Sequence, residues 1–166
     1  FQLWHYKHGL KMTKQEVKDE FKDSEGKPEV KGRIRRMQME MANRRMMAEV
    51  PKADVIVTNP THYAVALRYD RQQGKAPVVV AKGVDEIAMM IRKIANEYRI
   101  TQVASPRLAR AIYHTTKLDH EIPDGLFVAV AQVLAYVYQM QSWQQGKGTA
   151  PNKLSDELPI PDEYRY

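Results

Sequence analysis

The stretch Asp54 to Asp70, DVIVTNPTHYAVALRYD, decides how the rest of the chain is read. Val55, Ile56 and Val57 are β-branched and apolar on both faces, which predicts a strand buried on both sides and placed centrally in a sheet. Beyond a polar interruption, Tyr63, Val65, Leu67 and Tyr69 alternate with His62, Ala64, Ala66 and Arg68, the period of a second strand. Only Asn59-Pro60-Thr61-His62 separates the two runs, and so short a connection makes them antiparallel neighbours.

That connection carries chemistry as well as geometry. An Asn side chain ordinarily reacts with the N–H of the following residue, but Pro60 has none, so deamidation by that route is closed. The route left is attack by the Asn59 side-chain nitrogen on the Asn59 main-chain carbonyl, which closes a five-membered succinimide and expels the Pro60 nitrogen. The chain is then cut between Asn59 and Pro60. Amide resonance makes the step slow in a free peptide. A turn with Pro60 at its second position presets the backbone and holds nitrogen and carbonyl in a standing near-attack geometry. His62 is placed to relay a proton or polarise the carbonyl, and Thr61 to hydrogen-bond the oxyanion or fix the turn. An Asn-Pro pair is also an ordinary turn starter, so the residues alone leave a rigid, uncut turn open beside self-cleavage.

Outward from this hairpin, the chain reads as alternating strands and helices. Helices are predicted over about Lys14 to Asp23 and Glu29 to Glu49, broken near Gly26 and Pro28 and ended by Pro51. Val78 to Val80 is a third strand, Val84 to Glu97 an amphipathic helix and Thr101 to Ala104 a short strand, a unit expected to cross over right-handed and lie parallel. Pro106 suits the start of a helix to Thr115 with Ser105 as its N-cap. Pro123-Asp124 opens a last helix to about Gln141. The fold class is α/β: a small mixed central sheet of about four strands flanked by helices, with a long basic N-terminal helical extension.

Composition divides the chain. Residues 1–53 hold 13 Lys or Arg against 8 Asp or Glu, whereas 54–166 hold 13 against 12, so the net charge of +6 belongs mostly to the first segment. We therefore read 1–53 as a basic helical linker, 54–145 as the α/β domain, and 146–166, rich in Gly, Pro, Ser and charge, as a flexible tail. Arg33, Arg35, Arg36, Arg44 and Arg45 suit anionic lipid or an acidic protein surface. No nucleic-acid-binding motif accompanies them, and no nucleic-acid partner is expected. Phe1 to His8 mixes aromatic and basic residues as juxtamembrane segments do, and suggests an upstream membrane part. With no cysteine, disulfide and thiolate chemistry are excluded. His5, His8, His62, His114 and His120 lack metal-ligand spacing, and no cofactor is implied.

The last helix carries more apolar surface than one core stripe needs. Leu126, Val130, Val133 and Val137 form one line, and Phe127, Ala131, Leu134 and Tyr138 a second beside it. If part of the second line is exposed, it makes a groove for a short apolar segment, with Ala76 and Pro77 at its border. Ala76, Pro77, Ala131 and Leu134 are thus the candidate docking patch.

The run VIVTNPTHYAVALRYD, together with PVVVAKGVDEIAMMIRKIA (Pro77 to Ala95), ASPRLARAIY (Ala104 to Tyr113) and EIPDGLFVAVAQVLAYVYQM (Glu121 to Met140), closely resembles the cytoplasmic domains of the FlhB/YscU family of type III export-apparatus proteins, the flagellar branch fitting best. The resemblance implies autocleavage at Asn59 and Pro60 with Thr61 and His62 completing the motif. It implies a domain beneath a flagellar export gate at the cytoplasmic face of the inner membrane, tethered by transmembrane segments outside this sequence. It also implies export substrates and other export-apparatus proteins as partners, and a role in switching from rod and hook components to filament components. Such a protein cuts itself once and is not a turnover enzyme. The competing reading is a non-cleaving protein-binding module in which the turn is only structural.

Overall fold

The computed structural model describes residues 14–24 and 26–166. Phe1 to His8, the aromatic and basic segment, lies outside the described residues. Helices α1 (Lys14–Ser24) and α2 (Pro28–Glu49) precede a 3₁₀ turn at Val50–Lys52, where Pro51 cannot continue the helical hydrogen bonds. There follow β1 (Val55–Asn59), β2 (Tyr63–Arg68), β3 (Val78–Val84), α3 (Asp85–Glu97), β4 (Gln102–Ala104), α4 (Pro106–Thr115) and α5 (Phe127–Gln144). Packing separates two units, Phe1–Asn43 and Arg44–Tyr166. The last turn of α2 belongs to the second, because Met46 and the following Val50 are buried in its core. On α2 the five arginines Arg33, Arg35, Arg36, Arg44 and Arg45 are all exposed. Among the described residues no helix is long and apolar enough to cross a membrane.

The sheet has the order β3-β2-β1-β4, mixed as expected, with β1 and β2 inside it. β1 and β2 pair antiparallel from Val55↔Leu67 to Asn59↔Tyr63, so the register closes directly onto the turn. Alternation sends Val55, Val57, Val65 and Leu67 into one apolar cluster with α4 and α5. Ile56, Ala64 and Ala66 enter the other, with α3 and the end of α2. Three layers result. Val55, Ile56 and Val57 are all fully buried, each contributing about 1.5–3 kcal/mol of apolar burial.

The strand-helix-strand unit β3–α3–β4 lies parallel as expected, with its two strands at opposite edges of the sheet: β4 pairs parallel with β1, away from β3. The outer edge of β3 is occupied by residues 119–122, through Asp119 N–H to Val79 O (2.8 Å), Val79 N–H to His120 O (3.0 Å) and Ile122 N–H to Pro77 O (3.0 Å). An edge already paired in this way cannot accept β4. Ser105 does stand at the N-cap of α4, but its side chain makes no capping bond; its main-chain N–H instead donates to Thr58 O at 2.9 Å, tying the helix start to the end of β1.

A bulge shifts the β2–β3 register between Ala66 and Leu67, so Val80 and Ala81 both face the α3 side while Val79 faces the other. Beyond it, Lys82 donates to the carbonyls of Tyr113 (2.8 Å) and Thr116 (2.6 Å) at the C-terminal end of α4. Beyond Gly146 the chain forms no strand and only one short 3₁₀ turn, Asp162–Tyr164, but Leu158 is buried in the core and Leu154, Ile160 and Tyr164 pack against it.

Candidate functional site

Asn59 ends β1 half-buried, whereas Pro60, Thr61 and His62 are exposed. The His62 main-chain N–H donates to the Asn59 carbonyl at 3.0 Å, closing a β-turn with Pro60 second and Thr61 third. This places a donor on the carbonyl oxygen that would become negative if the Asn59 side chain attacked its carbon. Sequence reasoning left Thr61 either to hydrogen-bond that oxygen or to fix the turn. Thr61 makes no side-chain hydrogen bond among the described residues, and the main chain of His62 occupies the position.

Two residues that the sequence reading missed hold the turn. The His62 ring Nδ1 lies 3.2 Å from Asp85 Oδ1, and the Asp85 main-chain N–H donates to His62 O at 2.9 Å. Asp85 is the first residue of α3 and has φ +46°, a left-handed conformation that Asp tolerates better than most side chains. It reaches the turn because α3 begins directly on the end of β3: a Cβ on Gly83 would collide with Ile87, so only glycine permits so close a start. Two turns along α3, Arg92 donates to the Pro60 carbonyl. Pro60 and His62 are therefore both fastened to one helix, and Asn59 to the sheet. Acidic residues at a helix start and a basic residue two turns on were visible in the sequence, but nothing there pointed them at the turn.

The four docking-patch residues come together. Ala76, Pro77, Ala131 and Leu134 line one groove of about 400 Å³ with Tyr69, Phe127 and Tyr138 among its other walls. The two apolar lines of α5 behave differently: Leu126, Val130, Val133 and Val137 are fully buried, while Phe127 and Ala131 are exposed and Leu134 forms the groove floor at 5% exposure. At one side the Arg71 guanidinium stacks 3.4 Å from the centre of the Tyr138 ring. Burial pushes the Tyr138 hydroxyl above its ordinary range, against the opposing pull of Arg71. β2 links the two features, with Tyr63 following the turn and Tyr69 lining the groove, six residues or roughly 20 Å apart. The His114 ring meets Tyr63, the residue after the turn, with Nε2 3.5 Å from its hydroxyl, His120 Nδ1 lies 2.8 Å from the Leu118 carbonyl, and no group of metal-ligating side chains assembles among the described residues.

The fold and the turn define a small mixed-sheet α/β domain whose two central strands are joined by Asn-Pro-Thr-His. The model of the FlhB HrpN YscU SpaS family matches residues 1–137, and the chain belongs to that family. The flagellar biosynthetic protein FlhB of Yersinia enterocolitica is 52% identical over 162 residues, covering 98% of this chain and 42% of that protein. FlhB of Salmonella typhimurium is 50% identical over the same shares of each chain. The chain thus spans about two-fifths of the length of these curated relatives. Among solved structures, the cytoplasmic domain of FlhB from Shewanella putrefaciens is 60% identical with a TM-score of 0.71, covering 75% of this chain and 95% of that one. A mutated EscU C-terminal domain is 32% identical with a TM-score of 0.52, covering 54% of this chain and 90% of that one.

Proposed function

We propose that the chain is the self-cleaving switch domain of a flagellar type III export apparatus, cutting itself once between Asn59 and Pro60. The observation that carries the reading is the Asn59 carbonyl held by the His62 N–H in a turn whose next residue is proline. The Asn59 side-chain nitrogen attacks that carbonyl carbon, and negative charge develops on the oxygen facing the His62 N–H. The C–N bond to Pro60 then breaks, the proton lost by the side-chain nitrogen reaches the Pro60 nitrogen through the His62 ring or water, and a succinimide and a prolyl amine result. Nothing is oxidised or reduced, and no cofactor enters. Arg92 on the Pro60 carbonyl and Asp85 on His62 keep the leaving side in place while the bond breaks. The reaction happens once per molecule and is not turnover.

The cut changes shape and charge at an exposed point: Pro60 becomes a cationic secondary amine, and Asn59 a succinimide and later a carboxylate. In this reading the domain sits at the cytoplasmic face of the inner membrane, tethered through segments outside this sequence. The groove over Ala76, Pro77, Ala131 and Leu134 receives a short apolar segment of an export substrate. Cleavage permits the change from rod and hook substrates to filament substrates. The segments 1–53, 54–145 and 146–166 serve as basic linker, switch domain and tail, and other export-apparatus proteins meet the basic linker. Intact mass of the purified chain tests the reading: two fragments ending at Asn59 and beginning at Pro60 support it, whereas a single uncut species leaves a binding module with a rigid turn.

A further inference from the structure

A second cavity, about 180 Å³, lies between α4 and the C-terminal segment, lined by Arg107, Arg110, Ile160, Tyr164, Arg165 and Tyr166. Arg107 and Arg110 are one turn apart and share a face of α4. Arg165 already pairs with Asp162 at 2.7 Å, but neither Arg107 nor Arg110 has a carboxylate partner among the described residues. The Nε of Arg110 is buried, and among the described residues it finds no hydrogen-bond acceptor. A buried guanidinium N–H without an acceptor is costly, and native structures rarely leave one so unless an ion, a ligand or an ordered water supplies the oxygen.

We infer that this cavity is an oxyanion site, taking a carboxylate or phosphate group on Arg107 and Arg110. Guanidinium forks match both groups in planar, charge-assisted geometry. The size selects a small group: whole-ligand pockets run to roughly 300–1,000 Å³, so a nucleotide does not fit within 180 Å³. The C-terminal segment forms the other wall and is seated by a specific notch, since a Cβ on Gly125 would collide with the Tyr164 ring. The site is therefore complete only while that segment is docked.

Nitrogen-15 spectra of the full chain resolve arginine Nε–Hε signals and test this directly, with inorganic phosphate or succinate titrated at ionic strength fixed with chloride. The Arg110 Nε–Hε signal should shift saturably; a response to phosphate alone assigns a phosphate group, and one to succinate alone a carboxylate. Arg107→Gln, at an exposed position that leaves the fold and the reporter intact, should weaken binding about tenfold, the loss of one charge-assisted contact. Gly125→Ala, which displaces the Tyr164 wall, should weaken it too, and Arg99→Gln, outside the cavity, should not. No saturable shift with either anion, or equal affinity in Arg107→Gln and the unsubstituted chain, overturns the assignment, as does equal weakening by Arg99→Gln.

Discussion

Asp85 holds His62 twice, by a main-chain hydrogen bond of 2.9 Å from its N–H to the His62 carbonyl and by its carboxylate 3.2 Å from the ring Nδ1. The first contact fixes where the turn ends, and the second fixes which way the imidazole faces. Asp85→Asn keeps the left-handed backbone and the side-chain shape while removing the charge. An exposed pair of this kind is worth about 0.2–1 kcal/mol, so the rate of cleavage should fall about 1.4- to fivefold. A time course of intact mass after refolding reads the rate. An unchanged rate would remove the imidazole's orientation from the mechanism.

After a cut, β1 remains bonded to β2 on one side and β4 on the other, and its three apolar side chains stay buried. The pieces should co-elute in native buffer and part only in denaturant, because separation would break a whole backbone ladder and expose both cores. Size-exclusion chromatography of the cleaved chain checks this. Two independently migrating pieces would contradict the central position of β1.

The groove separates stability from binding. Leu134 is buried on the floor, so Leu134→Ala should cost about 2 kcal/mol in urea unfolding. Ala131 is exposed, and Ala131→Asp should change stability by no more than about 0.5 kcal/mol while abolishing the binding of apolar export-substrate segments. Intact binding in Ala131→Asp, measured by fluorescence anisotropy with a labelled substrate segment, would remove the groove from the proposed function.

Lys82 gives a pH signature. Desolvation by burial holds its ammonium below the ordinary value of 10.5. As pH rises toward 10.5 the folded chain releases this proton before the unfolded chain does. The unfolded state then binds more protons, so this site's contribution to stability rises with pH through that interval. The stability of the unsubstituted chain relative to Lys82→Met should accordingly increase from neutral pH upward. A difference that is flat or falling across the interval would show that the carbonyls of Tyr113 and Thr116 offset the burial.

Much of this was legible locally. β-branched runs and strict alternation gave β1, β2 and their shared turn, and two helical lines on α5 gave one buried face and one groove wall. What was not legible depends on contacts far apart in sequence. β4 joins the β1 edge because residues 119–122 already occupy β3, and no periodicity records which edge is free. Asp85 and Arg92 meet the turn across separations of 23 and 32 residues, through a helix start that Gly83 alone allows. Leu158 and Tyr164 are single apolar anchors in a segment rich in Gly, Pro and charge, so their packing leaves no repeating signal.

The central claim is that the Asn59 side chain cuts its own backbone. Electrospray mass spectrometry of the denatured chain beside Asn59→Ala tests it most directly, because alanine removes the nucleophile at little cost to packing at the end of a strand. The account predicts two fragments from the unsubstituted chain, divided between Asn59 and Pro60, and one full-length species from Asn59→Ala with an unchanged fold. Fragments divided at the same bond in Asn59→Ala, or an unsubstituted chain that stays whole after prolonged incubation, would contradict it.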